Sequence, residues 1–439
     1  MSRTRGSRTL YAVCLALFVV QLDTTAVNLA LPSVGRQVGG GVAALAWVMD
    51  AYNLTYAALL MTGGTLGDRY GRRRLFRGGL VLFVAGSIAC ALSPTFPVLV
   101  LGRTVQGVGA ALAVPQSMAL LAVAYPGLRE RSRAMAAWSI VAGVALAAGP
   151  LAGGLLTAAF GWRYIFWLNV PVGLAALAVA RHGVPESADP TARRPDPAGQ
   201  LLAVVALGAL VYAVVERSWP ALPIAVAALV AFLAVERRHP DPMLPLDLVR
   251  RGRLPVALYI AGAMTFGMYG MLMLTSIDLQ TAHGDSPIAA GLWLLPLPVV
   301  YVACSPLVGR LVPRYGPRLP MAAGMATMGL GLLAYAAVAS LPERWPLELI
   351  YALLGLGLAL NTGPVMTVAV SAVPTDRAGM AGALANLARM LGATLGVATL
   401  GSLFTTTNLP TALATGALIQ LTAATLAHTH QPQRQPQKP

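Results

Sequence analysis

The chain has 439 residues, of which 57% are hydrophobic and 11% charged, with a mean hydropathy of +0.69. No water-soluble domain buries that much apolar surface, so the solvent for most of this chain is lipid. A net charge of +15 would suggest nucleic acid in a soluble protein. Here it is assigned to loop arginines facing an anionic leaflet, which excludes nucleic acid as a partner.

Arg3, Arg5 and Arg8 precede an apolar run, as in a signal peptide. No small-residue cleavage site follows and Asp23 interrupts the run, so it is expected to be a retained first span. At roughly 20 apolar residues per crossing, the spans fall at 9–31, 43–63, 76–94, 97–120, 134–158, 163–180, 200–216, 219–235, 254–278, 288–309, 318–340, 346–370, 379–404 and 409–427. That makes fourteen, the seventh and eighth being short. The expected fold is an all-α polytopic membrane protein with an N-terminal six-helix bundle over 1–180 and a C-terminal one over 254–427. Between them, 181–253 holds cytoplasmic linkers (181–199 and 236–253, rich in Pro, Arg and Asp) and two extra central spans. The tail, 428–439, is Gln- and Pro-rich and reads as disordered.

Charge orients the chain. With both termini inside, 25 of the 31 Lys and Arg fall on the cytoplasmic side and four (Arg36, Arg163, Arg217, Arg344) outside. Arg103 and Arg389 lie within spans. This asymmetry follows the positive-inside rule. Cys14, Cys90 and Cys304 all fall in apolar runs, so no disulfide framework is expected.

The segment from Gly63 to Phe76, GGTLGDRYGRRRLF, is an Arg-loaded turn between two apolar runs. A weaker copy recurs at Gly309 to Arg318. The matched pairs are Gly64/Gly309, Leu66/Leu311, Arg69/Arg314, Tyr70/Tyr315, Gly71/Gly316 and Arg73/Arg318. Matching turns in two halves indicate internal duplication, an architecture that points to a transporter.

An ionisable group in a bilayer core costs about 2.5–3.5 kcal/mol on insertion scales, so each needs a reason. Asp23 (span 1) is either a titrating, cation-binding carboxylate or the fixed partner of an intramembrane arginine. Asp50 (span 2) lines the same cavity or sits at the outer interface. Asp278, near the outer end of span 9, reads as solvated. Arg103 (span 4) is read as a structural or proton-coupling hub, and Arg389 (span 13) as serving substrate, helix packing or both. Met264, Met268, Met271 and Met273, with Phe266 and Tyr269, give span 9 soft side chains suited either to a promiscuous apolar site or to packing. No HExxH pair, GxSxG elbow or GxxxxGK[ST] loop occurs, so neither an enzyme nor a nucleotide-driven pump is indicated. No cofactor or metal is expected, and the driving force falls to an ion gradient.

Five motifs in order resemble the major facilitator superfamily, and within it the fourteen-span drug:proton antiporter group, over nearly the whole chain. LDTTAVNLALP, Leu22 to Pro32, resembles the span-1 signature with Asp23 at its acidic position. Gly64, Asp68, Arg69, Gly71, Arg72 and Arg73 match the turn between spans 2 and 3. LGRTVQGVGAA resembles the span-4 motif through Arg103, Gln106, Gly107 and Gly109. GVALAAGPLAGG resembles the span-5 antiporter motif through Gly143, Gly149, Pro150, Gly153 and Gly154. GWRYIFWLNVPVG, Gly161 to Gly173, resembles a further element of that group.

The resemblance implies a monomeric inner-membrane exporter of amphipathic drugs or antibiotics, driven by protons and working by alternating access. Its midplane cavity would be lined by spans 1, 2, 4, 5, 9 and 13. Asp23, Asp50, Arg103, Gln106 and Arg389 would be the proton-coupling and substrate residues, and acidic cavity groups would favour cations. The 64–73 turn would act as a conformational latch. Alternatives are a carrier of a physiological solute or lipid, and a membrane receptor or assembly protein without transport. Two departures stand out: Asp50 and Asp278 occupy positions expected to be uncharged, and Pro313 faces Asp68 across the duplication, which implies a degenerate second latch.

Overall fold

The computed structural model describes residues 3–184, 186–188, 195–239, 242, 244, 252–339, 341, 345–373 and 378–429. Arg344, most of the two linkers' centres and all but the start of the 428–439 tail lie outside them. Every regular element among the described residues is a helix, because lipid offers no partner to an unpaired backbone group. In chain order they are α1 (Arg3–Val38), α2 (Val42–Tyr70), α3 (Arg72–Ala91), α4 (Phe96–Ala124), α5 (Leu128–Ala159), α6 (Arg163–Gly183), α7 (Pro197–Val215) and α8 (Ala221–Arg238). There follow α9 (Leu254–Thr281), α10 (Pro287–Leu294), α11 (Pro296–Tyr315), α12 (Arg318–Val338), α13 (Trp345–Ser371), α14 (Ala378–Thr406) and α15 (Leu409–Thr429).

Local chemistry sets the ends. Asp196 caps α7 by accepting from the Gly199 amide at 2.9 Å, and Ser286 caps α10 by accepting from Ala289 at 3.2 Å. The expected tenth span is divided at Pro296, which has no N–H to continue the ladder, although Leu295 keeps helical angles (φ −59, ψ −35). Gly63 and Gly64 do not end α2 as the sequence pattern suggested. The helix runs on to Tyr70 and breaks at Gly71, whose φ of 110° suits only glycine.

Among the described residues, twelve helical stretches are long and apolar enough to span a membrane, α10 and α11 together counting as one. The two helices outside that set are α2, diluted by Asp50 and Asn53, and α8, which ends in Glu236, Arg237 and Arg238.

Helix packing repeats. In the first half α1 lies against α4, α5 and α6, α4 against α2 and α3, and α3 against α6. In the second half α9 lies against α13, α14 and α15, α13 against α11 and α12, and α12 against α15. Between the halves α1 meets α9, α2 meets α14, and α5 meets α10 and α11. The pair α7–α8 rides on the seam of α2 and α14 through α7.

The helices touch through small residues, since lipid supplies no hydrophobic drive between them. At the α3–α4 seam a Cβ on Gly79 would lie 2.6 Å from the Gly109 carbonyl oxygen and 2.7 Å from the Ala113 nitrogen. Gly79→Val must therefore push the α3 and α4 backbones apart. The expected cost is about 1–3 kcal/mol, read as a lower thermal midpoint in detergent, and an unchanged midpoint would refute the close packing.

Candidate functional site

Arg103 is fully buried near the middle of the first half, and its surroundings are built from four other helices. Its Nη1 donates to Asp23 Oδ2 on α1 and, at 2.9 Å, to Gln106 Oε1 one turn along α4. Its Nε donates to the Val48 carbonyl of α2 at 2.9 Å. The guanidinium lies 4.4 Å from the centre of the Tyr52 ring and 5.8 Å from that of Phe166. Asp23 Oδ1 accepts from Asn169 Nδ2 of α6 at 2.7 Å and from Gln106 Nε2 at 3.3 Å. Gln106 Nε2 also reaches Ser87 Oγ of α3 at 2.8 Å.

Asp23, Ser87, Arg103, Gln106 and Asn169 have no exposed surface. The structure thus places Asp23 against an intramembrane arginine inside the first half. Sequence reasoning missed Ser87 and Asn169. Asn169 lay in a segment singled out for its motif alone, although an asparagine mid-span is itself a signal.

Asp50 lies elsewhere. It is also fully buried, but neither carboxylate oxygen has a hydrogen-bond partner among the described residues. Asn53, three residues on and so on the same helix face, is buried with both amide atoms unpartnered, as is Thr394 Oγ1 on α14. Arg389 is on α14 too. Its carbonyl accepts from Thr265 Oγ1 of α9 at 2.6 Å, its side chain is half-buried, and its neighbours Leu387 and Met390 pack on the cluster of Tyr52, Tyr56 and Leu60.

The halves join at the end opposite the termini. There, residues from both, including Leu29, Val34, Met49, Met273 and Ile277, form one apolar core. Toward the termini, Ala12, Val13, Phe76, Leu120 and Ala180 form a cluster of the first half alone. A polar clasp marks the joined end. Pro32 has no N–H, so it leaves the Asn28 carbonyl without a helical donor. Ser276 Oγ of α9 donates to that oxygen at 2.6 Å, and Gln280 Nε2 donates to the Leu29 carbonyl at 2.9 Å.

The span-5 glycines serve two contacts, with α1 inside the first half and with α10 across the halves. A Cβ on Gly149 would strike Thr25 Oγ1, one on Gly153 the Ala26 carbonyl, and one on Gly154 the Pro287 carbonyl across the halves. Gly291 in turn sits against the carbonyl of Pro150.

At the termini end, Asp68 pairs with Arg72 within its own turn, Nη2 to Oδ1 at 2.7 Å. The Arg72 amide donates to the Ser187 carbonyl at 2.9 Å and the Arg73 amide to Glu186 Oε1 at 2.9 Å. Gly71 leaves room for that carboxylate, and Gly64 rests near Pro115. Arg69 lies 6.0 Å from its neighbouring Tyr70 ring, and Arg314 repeats this with Tyr315 at 5.4 Å. Glu186, the turn's anchor, carried no sequence signal.

The family model of the Major Facilitator Superfamily matches residues 13–397. The chain belongs to this superfamily. It is therefore a multi-pass membrane transporter and not an enzyme. The multidrug resistance protein Stp of Mycobacterium tuberculosis is 41% identical over 412 residues, covering 92% of this chain and 76% of that protein. The tetracenomycin C resistance and export protein of Streptomyces glaucescens is 34% identical, covering 91% and 76%. A crystal structure of the peptide transporter POT in complex with sulfate superposes with a TM-score of 0.73 at 18% identity, over 96% of this chain and 94% of that one. That likeness shows the superfamily fold.

The geometry of the cage and of the clasp can each be tested. Arg103→Gln strands Asp23 and costs about 3–5 kcal/mol, seen as lost thermal stability in detergent. Adding Asp23→Asn should restore most of the loss, and equal damage in single and double variants would contradict a coupled pair. Ser276→Ala with Gln280→Leu removes two cross-half bonds, roughly 2 kcal/mol or thirty-fold in the balance of closed and open states. Spin labels on cysteines at Gly41 and Ala282 should then report a longer distance in double electron–electron resonance, and an unchanged distribution would reject the clasp as a gate.

Proposed function

We propose that this protein exports amphipathic drugs or antibiotics across the cell's inner membrane in exchange for protons. The observation that carries the mechanism is that the shared core takes its buried first-half members from the end opposite the termini, where the polar clasp also lies, whereas the cluster near the termini belongs to the first half alone. A bundle joined in this way fits one of the two states that alternating access requires. The printed names of the relatives, multidrug resistance and antibiotic export, support the substrate class.

The remaining assignments belong to the same proposal. Both termini lie in the cytoplasm, supported by the 25 of 31 basic residues at that side. The state described is then open inward. The chain crosses fourteen times, α2 and α8 included. For α2 the support is its packing against α4 and α14, and for α8 its packing against α7. The halves are 1–180 and 254–427 with 181–253 as the insert, supported by the repeated pairings. The protein works as a monomer without cofactor.

Coupling runs through two carboxylates. Protonating Asp23 from outside weakens its pull on Arg103, which is fastened to α2 through Val48 and to α6 through Asn169 by way of the carboxylate. Asp50, buried without a donor, is the second proton carrier, since a proton removes an otherwise uncompensated charge. The 64–73 turn is the latch, with Asp68 on Arg72 in the state described. The energetics are feasible, because one charge across 100 mV is worth about 2.3 kcal/mol, or roughly a fifty-fold gradient.

The test uses proteoliposomes with an imposed pH gradient and fluorescent amphipaths of both charges. Wild type should move at least one dye only while the gradient lasts. Asp23→Asn and Asp50→Asn should lose gradient-driven movement yet keep dye-for-dye exchange. Dye movement indifferent to the gradient would sink proton coupling.

A further inference from the structure

The charge of the transported molecule can be argued from where this chain leaves an ionised group uncovered. Away from the span ends the charged side chains are Asp23, Asp50, Arg103 and Arg389, with Asp278 nearer an end. Asp23 and Arg103 are sealed and neutralise each other, and Asp50 has no exposed surface. Asp278 lies at the joined end beside His283, with Nδ1 to Oδ2 at 3.5 Å. Arg389 alone is partly exposed in the middle of its span, and no carboxylate or other hydrogen-bond partner meets its side chain among the described residues. A cation left so in a low-dielectric site costs energy unless a ligand supplies the missing anion.

What surrounds it fits that role. Tyr56 of α2 belongs to a first-half cluster against which Leu387 and Met390, on either side of Arg389, pack. Tyr269 lies one turn along α9 from Thr265, whose hydroxyl holds the Arg389 carbonyl. The guanidinium thus sits on a helix packed against both halves, and its planar fork binds a carboxylate in two places. The position is fixed by backbone, through Thr265 and through Gly392 and Gly396, which let α14 run against α9.

We propose that this transporter's substrate is an acidic aromatic amphipath, its carboxylate or phenolate held by Arg389 where α14 packs between Tyr56 of α2 and Tyr269 of α9. This rests on the export reading. Asp23 and Asp50 have no exposed surface, and the charge left partly exposed in the middle of a span is positive.

The experiment compares fluorescein with its cationic xanthene counterpart rhodamine 6G on the purified full chain. Binding is read as a rise in thermal midpoint with ligand concentration, and export is read separately in proteoliposomes. Fluorescein should stabilise wild type and rhodamine 6G should not. Arg389→Gln should weaken fluorescein binding by about tenfold or more, while Arg389→Lys keeps some of it. Tyr269→Phe should weaken it less. Each variant's ligand-free midpoint checks folding, which the backbone bond to Thr265 leaves intact. Equal stabilisation by both dyes, no stabilisation by fluorescein, or fluorescein binding indifferent to Arg389→Gln would overturn the proposal. Arg389-dependent binding of fluorescein without its transport would keep the anion site and sink the export reading instead.

Discussion

A guanidinium inside a bilayer protein has no water to turn to, and Arg103 shows what the rest of the first half must do about it. Five helices contribute to its cage: Asp23 from α1, the Val48 carbonyl from α2, Ser87 through Gln106 from α3 and α4, and Asn169 through Asp23 from α6. The cage fixes the rotation of each helix, because only one face of each carries the required polar group. The same economy makes it sensitive to a proton. A single change of charge at Asp23 reaches every helix in the cage, which is the physical basis for linking protonation to movement of the half as a unit.

Movement between the halves requires contacts that can be made and broken cheaply. The far-end junction has that character. It is formed by glycine-to-carbonyl approaches, by apolar packing and by two hydrogen bonds to carbonyls of α1, one of which Pro32 leaves without a helical donor. Once separated, those carbonyls can be met by water, so the open state loses little with its clasp. The termini end differs. There the α2–α3 turn is held by Glu186 and Ser187 of the linker that follows α6, and Asp68 turns inward to Arg72. Contacts within each half are thus distinct from those between the halves, as rocking about a central site demands.

Much of this was legible in the chain itself. The order of apolar runs, the duplicated Arg-rich turn, the intramembrane Asp23, Arg103 and Arg389 and the glycine motif of α5 are one-dimensional signals, whereas fourteen runs were expected and twelve stretches are long and apolar enough among the described residues. The bilayer enforces them, since it admits only helices and penalises every charge. Helix ends followed local chemistry where a proline or a capping side chain was present, and missed where glycines at 63 and 64 served packing instead of a turn. The sequence could not show that Asp23 is saturated by Arg103, Gln106 and Asn169 while Asp50 meets no donor among the described residues. Nor could it show that Ser276 meets the carbonyl freed by Pro32, or that Glu186 anchors Gly71. These depend on residues 80 to 250 positions apart, brought together by helix rotation and by the pairing of the two halves. Periodicity specifies that a face is polar; only the tertiary packing decides which partner, from which half, stands opposite it, and so which charge is neutralised and which is left for a ligand.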